Sequence, residues 1–265
     1  MLNAKRPGFT RAIKSLRFDY SANGCRNLFL FVLISLALIA QPLHASELQQ
    51  FIADYEIFYG DIRLGKANYR FSHTQDENYR FDFVSDLRFL IFSDDRVVST
   101  ELSYEDTQLL PRYYSHDRKG TGRDYFEEIR FDHSKNLIRS TYGKESQEFA
   151  YEKDVVDGLT VQLQLMLDLQ RGIKRPKYKI LDVNRIRERE FSFVGEETIK
   201  LADEDYHSVI YQVVRDNNRR KTQIWFSPER NYLPVQMVHY SAGKKRFNAH
   251  LVKYREFDGT EAPGD

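Results

Sequence analysis

The chain has one cysteine, Cys25, and none after it. From Ser46 onward, thiol catalysis, disulfides and thiolate metal sites are excluded, so packing alone must hold the fold. An excess of one charge is also missing, with 40 Lys and Arg against 39 Asp and Glu. Six of the former and one of the latter lie in residues 1–45, which leaves 34 and 38, a net −4, for Ser46–Asp265. Mixed, mildly acidic charge provides no basic stripe for a polyanion. Basic residues gather at Arg185–Arg189 and Arg215–Lys221, but Glu188 and Asp216 interrupt them. No nucleic-acid partner is expected. Lys244-Lys245-Arg246 reads as a solvated hairpin turn, its other reading being a contact with anionic headgroups.

Long apolar runs are absent but for Leu28–Ala40, 13 residues closed by Gln41-Pro42. A spanning helix needs roughly 20. Lys5, Arg6, Arg11, Lys14, Arg17 and Arg26 precede the run, against Asp19 alone, and small Ala45 follows it. A basic start, a short apolar centre and a small-residue exit describe a secretory signal peptide over residues 1–45, cleaved near Ala45–Ser46. The rival reading, a retained anchor, suffers from the short run. Cys25 lies ahead of that run, so no lipid attachment is expected at the cleavage point. The expected layout is an exported protein with one β-rich domain over residues 46–257, a disordered tail over 258–265, and no transmembrane span after cleavage.

Reaction signatures are missing as well. There is no Gly-x-Ser-x-Gly elbow, and no Gly-rich loop precedes a helix to cradle phosphate. His73, His116, His133, His207, His239 and His250 form neither His-Glu-x-x-His nor His-x-His. His207, His239 and His250 fall on neighbouring expected strands, but a zinc site needs three or four converging ligands. Acidic pairs such as Asp94-Asp95 and Glu127-Glu128 point to opposite sides of a strand. No catalytic residue, metal or cofactor is assigned.

What is present is aromatic alternation, from 19 Phe and 17 Tyr. Ala53, Tyr55, Ile57 and Tyr59 share one strand face. Ala67, Tyr69 and Phe71 form a second set, Tyr79, Phe81 and Phe83 a third, and Val98, Thr100, Leu102 and Tyr104 a fourth. Period-two patterns separated by polar turns argue for an antiparallel meander. It continues through Pro111–His116, Tyr125–Asp132 and Leu137–Tyr142, then resumes after Pro176 with six further strands ending at Phe247–Tyr254. Between the halves, Asp157–Gly172 reads as the one clear helix. Asp157 is placed to cap it, Gly172 to end it, and Leu159, Leu163, Met166, Leu167 and Leu169 form an apolar stripe.

The order of these features, with the Ile224-Trp225-Phe226-Ser227-Pro228-Glu229 and Leu233-Pro234-Val235 segments, resembles the exported bacterial family called domain of unknown function 3108, over nearly all of Phe51–Tyr254. The resemblance brings no catalytic residues. It implies a periplasmic location and a fold similar to open β-barrels of the periplasmic lipoprotein-carrier type. The expected fold is mainly β: a single curved antiparallel sheet, an open or half barrel, with one main helix covering or plugging it. The expected function is non-enzymatic binding or carriage of an apolar ligand, an acyl chain or lipoprotein segment. The candidate wall is Tyr55, Ile57, Tyr69, Phe71, Phe81, Phe83, Leu163, Met166 and Trp225. The alternatives are a filled-core interaction protein with an envelope partner and, behind it, an envelope hydrolase.

Overall fold

The computed structural model describes residues 48–74, 78–215 and 219–257. The expected signal peptide, the expected 258–265 tail, and residues 75–77 and 216–218 lie outside the described residues. Fifteen strands form one sheet. The first eight are β1 (Phe51–Tyr59), β2 (Ile62–His73), β3 (Tyr79–Phe89), β4 (Phe92–Glu105), β5 (Gln108–Gly120), β6 (Tyr125–Asp132), β7 (Leu137–Tyr142) and β8 (Glu145–Ala150). β9 (Val155–Val156) and helix α1 (Thr160–Gln170) follow, then β10 (Lys177–Asp182), β11 (Arg185–Leu201), β12 (Glu204–Val213), β13 (Arg220–Ser227), β14 (Leu233–Ser241) and β15 (Lys244–Glu256). Each half is a meander, and β1 pairs with β15 to join them. All pairings are antiparallel except β9 with β10. The sheet is curved and does not close: β8 and β9 are its edges.

Both edges are blunted. β8 is polar and exposed and β9 has two residues, which limits pairing with another chain. Side chains span the seam instead of a ladder. The β10–β11 turn carries Val183 and Asn184, both at positive φ. Val183 N–H donates to Glu127 Oε1 at 2.6 Å, Ser140 Oγ donates to Asn184 Oδ1 at 2.7 Å, and Asn184 Nδ2 donates to the Glu145 carbonyl at 3.0 Å. Thus one turn of the second meander is fastened to β6, β7 and β8 of the first.

Helix α1 departs from the expected stripe. Nine of its 11 residues are buried, as for a helix enclosed on all sides. Leu163, Met166 and Leu167 join the main core, which draws residues from both meanders. Val161, Leu165 and Leu169 pack with Tyr178, Phe191, Tyr211, Val213 and Phe226 of the second. The helix starts at Thr160, later than expected. Asp157 nevertheless serves its first turn: Oδ1 accepts the Leu159 and Thr160 N–H groups, and Oδ2 accepts the Thr100 and Thr160 hydroxyls. Gly172 takes φ +76° just beyond the end, where glycine carries no Cβ penalty. Buried Gln164 accepts the Leu109 N–H and donates to Asp168, which also accepts the Tyr178 hydroxyl. The polar residues of α1 thus fix its rotation against β5 and β10 and meet the requirement that buried polar atoms be paired. Each fully buried Leu or Met adds about 1.5–3 kcal/mol of transfer free energy.

Candidate functional site

Between α1 and the concave face lies a cavity of about 380 Å³, within the roughly 300–1,000 Å³ range of small-ligand sites. Register explains its wall. In the β1–β2 pair, Ala53 faces Tyr69 and Tyr55 faces Ala67; in β2–β3, Tyr69 faces Phe83 and Phe71 faces Phe81. Directly opposed residues share a sheet face, so the aromatic sets form one continuous surface. Tyr69 packs on Phe83 at 4.7 Å, on Phe81 at 5.5 Å and edge-on to Tyr55 at 5.5 Å. Leu165 and Met166 of α1 form the roof, and Phe191, Val213, Ile224, Phe226 and Met237 form the far wall. The polar lining residues include Gln162, Arg189, Arg215, Thr222 and Gln236.

The cavity tyrosines are held neutral. Burial, reinforced by the other tyrosines, pushes the Tyr55 phenol well above its ordinary range, and burial does the same to Tyr69. Tyr55 donates to the Pro234 carbonyl at 2.6 Å. That carbonyl sits beside the β13–β14 register shift at Trp225/Phe226, a position where a strand proline is tolerated. One hydrogen bond therefore ties the cavity wall to the irregular strand opposite it.

The family model described as "Protein of unknown function (DUF3108)" matches residues 54–247. The chain belongs to this family. No curated protein matches it. Among solved structures, this DUF3108 chain is similar to a crystal structure of a beta-barrel-like protein of domain of unknown function DUF1849 from Brucella abortus. The TM-score is 0.57 at 12% identity, over 81% of this chain and 100% of that one. At such identity the likeness shows the fold alone.

Of the nine expected wall residues of this DUF3108 chain, Tyr55, Ile57, Tyr69, Phe81, Phe83 and Met166 line the cavity. Phe71, Leu163 and Trp225 do not. Phe71 shares the face of Tyr69 but stacks on Tyr79 at 5.3 Å and packs against Phe51, inside solid core. Leu163 is buried in the main core. Trp225 alternates with lining residues Ile224 and Phe226, so it projects from the other face, where Nε1 donates to Glu197 Oε1 at 2.5 Å. It is buried there, paired with Ile210 of β12.

A second polar group lies off the cavity. Glu127 has no exposed surface, and its Oε2 lacks a hydrogen-bond partner. Burial, helped by Asp182 and Asp157 and opposed by the Val183 N–H, raises its carboxyl to about 7. His116 faces Glu127 across the β5–β6 pair, and burial with the Arg96 charge lowers it to about 4. Its ring nitrogens lie 3.5 Å from the Tyr114 hydroxyl and 3.3 Å from that of Tyr125. These residues sit at the seam rather than on the cavity lining. His207, His239 and His250 do not assemble: among the described residues no group of three His, Cys, Asp or Glu can hold a metal. Nor is any described helix long and apolar enough to cross a membrane.

Proposed function

We propose that this DUF3108 protein is a non-enzymatic periplasmic carrier that holds an apolar ligand, an acyl chain or lipoprotein segment, between its curved sheet and α1. The observation that carries the reading is the cavity itself. Aromatic and aliphatic side chains from β1, β2, β3, β13 and α1 converge there without filling the space. An apolar pocket with a few polar groups is the ordinary form of a small-molecule site, whereas a filled-core interaction protein has no use for it. The open-barrel fold agrees with the likeness to lipoprotein-carrier barrels. The hydrolase reading lacks support, because the His116–Glu127 group is buried at the seam, away from the cavity.

The test is native mass spectrometry with lipid extraction on the full chain, expressed in its own host and purified from the envelope. A co-purifying apolar molecule is expected, and it should be lost on Phe83→Asp while the unfolding transition persists. Ligand-free protein from the same preparation would overturn the reading. Fractionation of the same cells tests the location.

One observation favours the interaction reading. The β3–β4 turn presents Leu90 and Ile91, 90% and 96% exposed, where turn chemistry favours Gly, Asn or Asp. A photo-crosslinker at Ile91 that captured one defined envelope protein would support it.

A further inference from the structure

The cavity lining is mostly apolar, but two of its residues are arginines. Arg189 and Phe191 alternate along β11, and Val213 and Arg215 alternate at the end of β12, all four on the lining. Phe191 pairs with Val213, and the Val214 N–H donates to the Glu190 carbonyl at 2.8 Å, which carries the register on toward Arg189 and Arg215. Like charges opposed across a ladder are destabilising. Most arginines of the described sheet have a carboxylate beside them, as in Arg63–Glu56, Arg80–Asp82, Arg139–Glu148 and Arg187–Asp182. This pair has none among the described residues. Arg189 donates to the Glu188 carbonyl at 2.9 Å, and Arg215 makes one long bond, 3.4 Å, to the Thr222 hydroxyl. Burial, then the Arg189 charge and the Arg220 charge, lower the Arg215 guanidinium, so a third positive charge acts on this pair. Thr222, also on the lining, lies 3.0 Å from His239 Nδ1.

We propose that the cavity takes a single-chain amphiphile with an anionic head, carboxylate or phosphate. Its head sits on Arg189 and Arg215 beside Thr222, and its chain runs under α1 toward Tyr69, Phe81 and Phe83. Guanidinium forks match the planar or tetrahedral oxygens of such heads. About 380 Å³ equals the space of roughly a dozen waters at about 30 Å³ each, which is room for one chain. The inference rests on the apolar-ligand reading and adds the chemistry of the head.

The experiment measures binding of laurate, dodecyl phosphate, dodecanol and inorganic phosphate to the delipidated protein by displacement of a neutral fluorescent naphthylamine. Laurate and dodecyl phosphate should bind at least tenfold tighter than dodecanol, a difference of 1.4 kcal/mol, and inorganic phosphate should not compete. In the Arg189→Gln/Arg215→Gln variant the laurate-to-dodecanol ratio should fall below about threefold. Should that variant not fold, salt substitutes for it: raising ionic strength from about 0.05 to 0.5 M should weaken laurate and leave dodecanol unmoved, since screening acts on exposed charges. Equal affinity for laurate and dodecanol overturns the head assignment and leaves the apolar reading standing. Inorganic phosphate competing as well as dodecyl phosphate overturns it in favour of a free-anion site. Failure of every chain to bind, including the naphthylamine, removes the apolar reading and this inference together.

Discussion

Replacing Glu127 by glutamine should turn a nearly pH-independent stability into one that rises with pH. Glu127 sits at about 7 in the folded protein against an ordinary 4.5. A raised carboxyl binds its proton more tightly when folded. Its contribution is therefore complete below about 4.5 and is lost as pH rises through about 7. At 1.36 kcal/mol per tenfold, the loss is about 3 kcal/mol. His116 works the other way. It is lowered to about 4 from 6.5, so its contribution is complete above about 6.5 and is lost as pH falls through about 4. This again amounts to about 3 kcal/mol. The two windows overlap and the slopes oppose, so the parent protein is nearly flat through these groups. Glu127→Gln keeps an oxygen for the Val183 N–H and removes the falling arm. Its new amide donor, left at the unpartnered Oε2 position, costs about 1–3 kcal/mol, but equally at every pH. Urea unfolding between about pH 4.5 and 7.5, with a common m-value, reads the slope directly. The difference between variant and parent should move by about 3 kcal/mol in favour of the variant as pH rises. A difference constant to within about 0.5 kcal/mol would refute the argument, because ordinary independent sites already scatter by that much.

Further outcomes follow from single contacts. Asp157→Ala strips acceptors from two buried N–H groups and two hydroxyls and should lower unfolding free energy by about 3 kcal/mol, whereas Asp157→Asn, which keeps Oδ1, should lose far less; chemical denaturation separates them. Gly65→Ala would place a Cβ 2.0 Å from the Asp86 carbonyl oxygen. Backbone on both sides must shift, and a loss of about 1–3 kcal/mol is expected in thermal unfolding. Leu90→Asn relieves a non-glycine residue at φ +52° that is 90% exposed, so it should raise stability by up to about 1 kcal/mol, and a fall in the melting midpoint would contradict this.

The legible part of this chain was its local period. Alternation marked the centres of β1–β7 and β10–β15, because each has one face in the core and a period of two follows directly from the pleat. β8 has no buried face, and β9 is two residues held by a parallel neighbour; neither leaves a pattern to read. β11 runs on through a bulge at Phe193/Gly195 to Leu201, where charged residues occupy both faces and mimic a turn. The apolar stripe of the helix suits packing on one sheet; a sheet that wraps around it buries Val161 and Leu165 as well.

The same limit governs the site. Tyr69 and Phe71 stand two residues apart on one strand face, with the same chemistry and the same period. One borders empty space, and the other is sealed by Phe51 and Tyr79. Curvature and the position of α1 make that difference, and neither is encoded in the alternation of a single strand. Arg189 and Arg215 show the converse. In the sequence they belong to separate basic groups, each interrupted by an acid, and neither points to a nucleic-acid partner. Only the β11–β12 register, carried on by the Val214 N–H to the Glu190 carbonyl, brings both onto the lining of an apolar cavity. Residues that fill a core announce themselves by repetition. Residues that leave a space, and the charges that guard it, depend on which strands meet. The Arg189/Arg215 pair is therefore the better discriminator between carrier and filler: a solid-core protein gains nothing from two such guanidiniums, and substituting them should leave or improve its stability, whereas a carrier of anionic chains loses its selectivity.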